Sequence, residues 1–381
     1  MEKKTFPIGE ICKRFSSGKN ITSDNIFTIG DFPVFGGNGL RGYTDKSNFE
    51  GECTIIGRQG AYCGNVHYFK GKGYMSDHAI VAVTNKEHDN KFFSYKLSLA
   101  DLGRFSGQAA QPGLSVTKLI RLKLEMPPLP TQRKITSILS SYDSLIENNT
   151  KRIRLLEQMA ENLYKEWFVR FRFPGHENIE FVDGLPKGWK YENLFDVANV
   201  SYGYAFKSNL FCDDKTLNAV VRIRDIQDNH TDTYTNERCD DKYLIEENAI
   251  IIGMDGIFHM CLWNGDRAYL NQRVVKILSK NTDFCNYMLL MAIRPQVKFW
   301  EQVIVGTTVA HLGDKHLRKM KVLVPKRAIL VKANKQIEMI MKEKNKPFRE
   351  NSSLIRQRDL LLPRLMNGKL EVKAIKERPS K

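Results

Sequence analysis

Pro127-Pro-Leu-Pro130 opens a stretch that runs through Thr131-Gln-Arg-Lys-Ile135 and Asn149-Thr-Lys-Arg-Ile-Arg-Leu-Leu-Glu157 to Trp167-Phe168. Its apolar residues are Ile135, Ile138, Leu139, Tyr142, Leu145, Ile146, Ile153, Leu156, Met159, Leu163 and Trp167. They step by three and four, with a polar gap at Asn149 and no Gly or Pro among them. That spacing predicts one amphipathic helix from Thr131, whose hydroxyl can cap the first turn behind the prolines. About 38 residues at 1.5 Å each make a rod of roughly 57 Å. A rod that long with a narrow apolar stripe needs a second helix to cover it.

The second helix is in the sequence. Val324-Pro325 repeats Met126-Pro127, and Ile337, Ile340, Met341, Phe348, Leu354, Ile355, Leu361, Leu362 and Leu365 follow at helical spacing. Asn351-Ser-Ser-Leu-Ile-Arg-Gln-Arg-Asp359 lines up with Asn149–Glu157. Upstream, Ile251-Ile-Gly-Met-Asp-Gly256 repeats Ile55-Ile-Gly-Arg-Gln-Gly60. Gly306–Leu312 loosely repeats Gly107–Leu114, and Glu192-Asn-Leu-Phe-Asp-Val197 weakly repeats Phe6-Pro-Ile-Gly-Glu-Ile11. Four matches in one order imply a duplicated unit of globule and long helix, joined near Phe173-Pro-Gly-His-Glu177 and Gly184-Leu-Pro-Lys-Gly-Trp189. The expected division is a globule over 1–127, a central helix over 128–172, a linker and second globule over 173–324, a distal helix over 325–371 and a flexible basic tail over 372–381. Pro347 falls inside the distal helix and should kink or break it near Lys346.

Within the globules, Cys53–Ile56, Ile80–Thr84, Val220–Arg224, Ile250–Gly253 and Val274–Leu278 read as strands, with short helices at Phe92–Leu99 and Asn286–Met291. The expected class is α+β, with two β-rich modules and their long helices paired as an antiparallel coiled coil. Pairing in that sense sets the two globules at opposite ends of the helices, where parallel pairing would set them together.

The 381 residues suffice for two or three domains, and 42% hydrophobic content excludes wholesale disorder. Lys and Arg number 59 against 43 Asp and Glu, a surplus of 16 positive charges that fits a polyanionic partner. No apolar run is long enough to cross a bilayer, and the N-terminus has no signal core, so a cytoplasmic protein without membrane contact is expected. Seven cysteines with no Cys-x-x-Cys pair fit reduced thiols, and neither a disulfide framework nor a zinc site.

Catalytic signatures are missing. Gly37-Asn-Gly-Leu-Arg-Gly42 has the spacing of a dinucleotide loop, but the polar, turn-forming Tyr43–Gly51 follows where a helix is required. There is no Walker A sequence, and Met126-Pro-Pro-Leu-Pro130 lacks the amide and aromatic residues of an amino-methyltransferase motif. His67, Asp77, His78 and His88 fit no metal-ligand spacing, and Cys63 with His67 lacks an orienting third group. No catalytic residue, no metal and no cofactor bound by this chain are expected.

Both globules instead carry polar and cationic side chains on glycine-rich loops. The DNA-contact candidates are Arg41, Lys46, Arg58, Gln59, Tyr62, His78 and Gln108 in the first, and Arg222, Arg224, Gln272, Arg273, Thr307 and Thr308 in the second. Arg, Lys, Gln and Asn are the side chains that pair with guanine and adenine edges in the major groove, while Lys and backbone N–H groups hold phosphates. Solvated loops are the plain alternative. Helix-interface candidates are Ile138, Tyr142, Leu145, Leu156, Met159, Leu163, Ile337, Ile340, Ile355, Leu362 and Leu365. The distal stretch Lys326–Lys369 carries twelve basic and four acidic residues, either a phosphate-facing strip or a solvated face.

With these residues in view, the chain resembles the specificity subunits of type I restriction–modification enzymes over about residues 6 to 371. The resemblance rests on Phe32-Pro-Val-Phe-Gly-Gly-Asn-Gly39 with Gly42-Tyr43, then Ile55-Ile-Gly-Arg58. Pro127-x-Leu-Pro130 follows with Gln132-Arg-Lys-Ile135, then Leu155-Leu-Glu-Gln158 with Trp167-Phe168. Leu185-Pro-Lys-Gly-Trp189 opens the second unit and Arg358-Asp-Leu-Leu-Leu-Pro363-Arg-Leu-Met-Asn-Gly368 closes it. It implies two target-recognition domains, each reading one half of a split sequence in double-stranded DNA. It also implies two spacer helices that dock two modification (methyltransferase) subunits, joined by restriction (helicase-nuclease) subunits. S-adenosylmethionine, ATP and Mg are then expected on those partners. Thr131 stands where many relatives have an acidic residue. Met254-Asp255 stands in place of Arg58-Gln59, so the modules should prefer different bases. The competing readings are a DNA-modifying enzyme with an unrecognised motif and a coiled-coil scaffold that binds no DNA.

Overall fold

The computed structural model describes residues 3–60, 62–107, 113–304 and 310–372. The chain forms two compact units: one holds the residues up to Asn148 and again from Asn351, the other Asn149–Glu350.

In the first unit, β1 (Lys4–Pro7), α1 (Ile8–Ile11) and β2 (Cys12–Ser17) lead into β3 (Phe32–Gly36), β4 (Gly39–Thr44), β5 (Phe49–Gly57), β6 (Val66–Met75) and β7 (Ala79–Thr84). A six-stranded sheet has the order β2-β7-β5-β6-β3-β4, antiparallel except where β3 lies beside β6. Alternation along β5 and β7 splits their side chains between two cores. Ile56, Ile80 and Ala82 face Phe92, Phe93 and Leu97 of α2 (Asn90–Ser98), while Cys53, Ile55 and Val81 face Phe69 and Met75. The Asp89 carboxylate caps α2, accepting from the Phe92 N–H at 2.7 Å. After α3 (Val116–Leu119), β8 (Lys123–Met126) pairs with β1 and delivers the chain to α4 (Leu129–Tyr164).

The second unit takes α4 onward through a π-helical turn, Lys165–Val169, and a hairpin of β9 (Phe181–Val182) and β10 (Leu185–Pro186). The hairpin turns on Asp183 and Gly184, both at positive φ. The stretch expected as a joint is packed: Phe173 and Trp189 are buried and stack on each other.

Next come β11 (Lys190–Asn193), α5 (Leu194–Val197), β12 (Ala198–Tyr202), β13 (Phe211–Cys212), β14 (Asn218–Val221) and β15 (Tyr234–Thr235). They are followed by β16 (Ile250–Gly253), β17 (Met260–Leu262), β18 (Tyr269–Leu270), β19 (Val274–Ser279), α6 (Asn286–Val303), α7 (Asp314–Leu317), β20 (Lys321–Val324) and α8 (Arg327–Met366). The sheet order β12-β19-β16-β17 repeats β2-β7-β5-β6, and the β11–β20 pair repeats β1–β8. Ile55 pairs with Val81 and Ile251 with Lys276, so the repeat holds residue by residue. Where the first unit adds β3 and β4, the second has a separate small sheet, β13-β15-β14-β18.

Each unit contains paired segments of α4 and α8 running antiparallel, and the fold is α+β. In the first, Arg358 bonds Asp143 at 3.1 Å and Asn351 donates to the Ile146 carbonyl at 3.3 Å. In the second, Asn149 bonds Glu350, Arg152 pairs with Glu343 and Lys344 pairs with Glu157. Ile337 and Leu365 are buried, and Ile138, Leu163, Ile340 and Leu362 pack against the cores of their units. Tyr142 and Leu156 are half-buried, whereas Leu145, Met159 and Ile355 are exposed.

Four expectations need correction. The first helix starts at Leu129 and not at Thr131; Thr131 N–H already bonds the Pro128 carbonyl. Proline is welcome in a first turn because the N–H it lacks has no intrahelical partner there. The distal helix does not break near Lys346: α8 runs 40 residues through Pro347 and ends before Gly368, whose positive φ closes it. The strand expected over Val220–Arg224 stops at Val221, because the Arg222 N–H turns to the Asp225 carboxylate. The helix expected over Asn286–Met291 runs on to Val303, past Pro295.

Candidate nucleic-acid interface

Glycine packing gathers the first unit's candidates. A Cβ on Gly57 would stand 2.4 Å from the carbonyl oxygens of Gly37 and Tyr62, and one on Gly37 would stand 3.1 Å from that of Gln59. Only glycine permits this approach, which holds the β3–β4 turn against the end of β5 and the start of β7. The Gly-x-Gly-x-x-Gly stretch is therefore a β-hairpin, with no helix behind it. Arg58, Gln59 and His78 meet at this sheet end, the Tyr62 backbone closes on Gly57 beside them, and Arg41 packs beside Gly36 at the same turn. His78 Nδ1 lies 2.9 Å from Gln59 Oε1, and Arg58 Nη1 donates to the Asp77 carbonyl at 3.4 Å. Lys46 is exposed beyond β4 and is not joined to the group by these contacts.

In the second unit the same sheet end is built from the end of β16 and the start of β19, with the ends of β14 and β18 of the small sheet beside it. The Val221 carbonyl accepts from Asn271 N–H, and the Arg273 carbonyl accepts from Met254 N–H. These bonds bring Arg222, Gln272 and Arg273 together. Arg222 lies over the Phe211 ring at 5.4 Å, and Arg224 points to Thr233 and to Asp225, whose carboxyl is pushed up by burial. Gln108, Thr307 and Thr308 lie outside the described residues.

Sequence reasoning matched Asp255 to Gln59 without counting it among the contact candidates, and passed over His311. His311 Nδ1 lies 2.6 Å from Asp255 Oδ1, and Arg273 Nε lies 3.7 Å from Asp255 Oδ2. Asp255 holds the place of Gln59, and the strand register sets Arg273 opposite His78. The repeat in Ile251–Gly256 already pointed at Asp255; His311 becomes visible only through its bridge with Asp255.

Other polar groups fix the modules to their helices. Buried Gln132 on α4 accepts from Asp89 N–H at 2.9 Å and donates to the Pro127 carbonyl at 2.7 Å; on α8, Asn334 accepts from Cys285 N–H at 2.9 Å, at the cap of α6. Asp143 gathers Tyr95, Lys91 and Arg358.

Burial pushes the Cys63 thiol up and the His67 imidazole down, opposite to what a nucleophile and its base need. Among the described residues no group of three or more His, Cys, Asp or Glu is placed to hold a metal, and no helix is long and apolar enough to cross a membrane.

The family model described as "Type I restriction modification DNA specificity domain" matches residues 1–158 and again 186–346, once on each repeat. The chain belongs to this specificity family. A fellow protein, the type I restriction enzyme EcoprrI specificity subunit of Escherichia coli, is 37% identical over 166 residues, 42% of this chain and 41% of that protein. The MjaIX specificity subunit of Methanocaldococcus jannaschii is 24% identical over 310 residues, 74% of this chain and 68% of that one. The chain thus spans about two fifths of the first relative and about two thirds of the second. The crystal structure of a type I restriction–modification system S subunit from M. genitalium superposes with a TM-score of 0.61 at 17% identity, covering 96% of both chains. That likeness establishes a shared fold.

Proposed function

We propose that this chain is the sequence-specific DNA-binding subunit of a type I restriction–modification complex and catalyses nothing itself. Its two modules read the two halves of a bipartite site in double-stranded DNA. The observation that carries the reading is the repeat: two matched sheet ends present different polar sets, Arg58-Gln59-His78 in one and Asp255-Gln272-Arg273 in the other. Different side chains on one scaffold are what two dissimilar half-sites require. The surplus of 16 positive charges supplies the salt-dependent attraction to phosphates.

The exposed Leu145, Leu155, Met159, Ile355 and Leu360 on α4 and α8 support docking of two modification subunits along the helices. Those subunits bind S-adenosylmethionine, and restriction subunits supply ATP- and Mg-dependent cleavage in the cytoplasm. The test is to purify the chain with its modification subunit and select from random-sequence duplexes in moderate salt. A split motif is expected, and Arg58→Ala relaxes one half of it. Failure to enrich any split motif, or equal damage to both halves, rejects the reading. An isolated chain that methylates or cuts DNA would reveal an enzyme; an unchanged mobility shift at low salt would reveal a scaffold.

A further inference from the structure

Arg273 stands out on its backbone. Among the described residues six non-glycine residues have positive φ, and four of them are Asn or Asp, which tolerate that region. Of the other two, Phe171 packs against Trp189 and Phe181, whereas Arg273 is exposed, with φ of 67°. A strained arginine persists only where the surroundings over-determine it, and such residues gather at functional sites. Here the surroundings are in view. The Arg273 carbonyl accepts from Met254 N–H at 2.8 Å, and the Asp255 carboxylate lies beside Nε at 3.7 Å. His311 braces the same carboxylate from its other oxygen at 2.6 Å.

This geometry orients the guanidinium. With Nε held beside Asp255 and the side chain 57% exposed, the guanidinium keeps donors that can face a ligand. Nη1 lies 3.3 Å from His311 Nδ1, which in the tautomer that donates to Asp255 offers it no lone pair. A fork of two N–H donors with its inner side fixed matches the paired acceptors O6 and N7 of guanine. The equivalent place in the first module holds His78, with Nδ1 2.9 Å from Gln59 Oε1. There an imidazole meets a neutral amide where the second module sets a guanidinium beside a carboxylate.

Resting on the specificity reading above, we propose that this sheet end is the base-reading position of each module. In the second module, Arg273 takes the O6/N7 edge of a guanine in the major groove, and Asp255, braced by His311, is its positioning residue.

The experiment uses the full chain with its modification subunit and a randomised double-stranded DNA pool, comparing wild type with Arg273→Lys, Arg273→Gly and Asp255→Ala. Glycine is at home at positive φ, so Arg273→Gly removes the side chain without threatening the loop. Lysine keeps the charge but loses the fork. Both are expected to lose a guanine preference of roughly tenfold or more at one base pair, in the half-site that Arg58→Ala leaves intact. Arg273→Lys should keep the wild-type salt dependence. Asp255→Ala should weaken the same preference while raising affinity for random duplex, a split that a purely structural role does not produce. A wild-type motif selected by Arg273→Lys would mark a phosphate contact and overturn the proposal, as would loss of guanine in both halves. If wild type itself selects no split motif, the specificity reading falls together with this one; if it does and the Arg273 variants select the same motif, only this proposal falls.

Discussion

At Gly18 an added Cβ would stand 2.2 Å from the Met75 carbonyl oxygen, and at Gly203 it would stand 1.9 Å from that of Asn271. Neither glycine is at positive φ, so the constraint is close approach between backbones. The two positions are equivalents: Gly18 N–H bonds the Ala79 carbonyl and Gly203 N–H bonds that of Val274, and these carbonyls open the matched strands β7 and β19. Because backbone cannot yield as a side chain can, Gly18→Ala and Gly203→Ala should each cost about 2–3 kcal/mol. Urea unfolding midpoints measure this, and unchanged midpoints would contradict the packing argument. Neither glycine was legible in the sequence, since nothing local marks a glycine needed for a non-local approach. The pairing of Gln59 with Asp255 was legible, because the flanking Ile-Ile-Gly strings survive in both copies. The match of His78 with Arg273 was not, because the residues around them share no string and only strand register aligns them.

The same contrast holds for elements. α4 and α8 were legible because a three-and-four spacing kept up over 36 and 40 residues has no other solution. Strands β13, β15 and β18, at two residues each, carry no period to read. Pro347 misled for a physical reason. It removes one hydrogen bond and crowds the Glu343 carbonyl, a cost of about 3 kcal/mol taken alone. Ion pairs from Glu343 to Arg152 and Lys344 to Glu157 hold the turns before it, and Leu365 and Met366 bury the helix end beyond it. Burial of side chains that size contributes about 1.5–3 kcal/mol each, enough to carry the helix across one bad residue. Pro347→Ala should therefore stabilise the protein by about 1–3 kcal/mol and leave the helical circular dichroism at or above its wild-type value. A lower unfolding midpoint would mean that the proline serves the packing of α8.

For the whole molecule, both units carry acid groups that folding keeps protonated. Burial pushes the thiols of Cys12, Cys53 and Cys261 up to about 12 from an ordinary 9.0. Above about pH 9 the unfolded chain releases these protons and the folded chain keeps them, so stability is full below that pH and declines as pH rises toward 12. Urea midpoints at pH 8, 9.5 and 10.5 should fall in that order, and alanine at the three positions should flatten the decline; an equally steep fall in the triple variant would assign it to other groups. The division into two units makes a sharper demand. The first unit's cores are built on Ile56 with Phe92 and Ile55 with Phe69, the second's on Ile252 with Met288 and Ile251 with Trp263. All four tryptophans, Trp167, Trp189, Trp263 and Trp300, belong to the second unit. Tryptophan emission thus follows the second unit, while far-ultraviolet circular dichroism follows both. Gly203→Ala should lower the emission midpoint. Gly18→Ala should lower the circular dichroism midpoint and shift the emission midpoint less. Equal shifts in both signals for both variants would mean that the chain unfolds as one cooperative body through α4 and α8, and that the two modules are separate in sequence but not in stability.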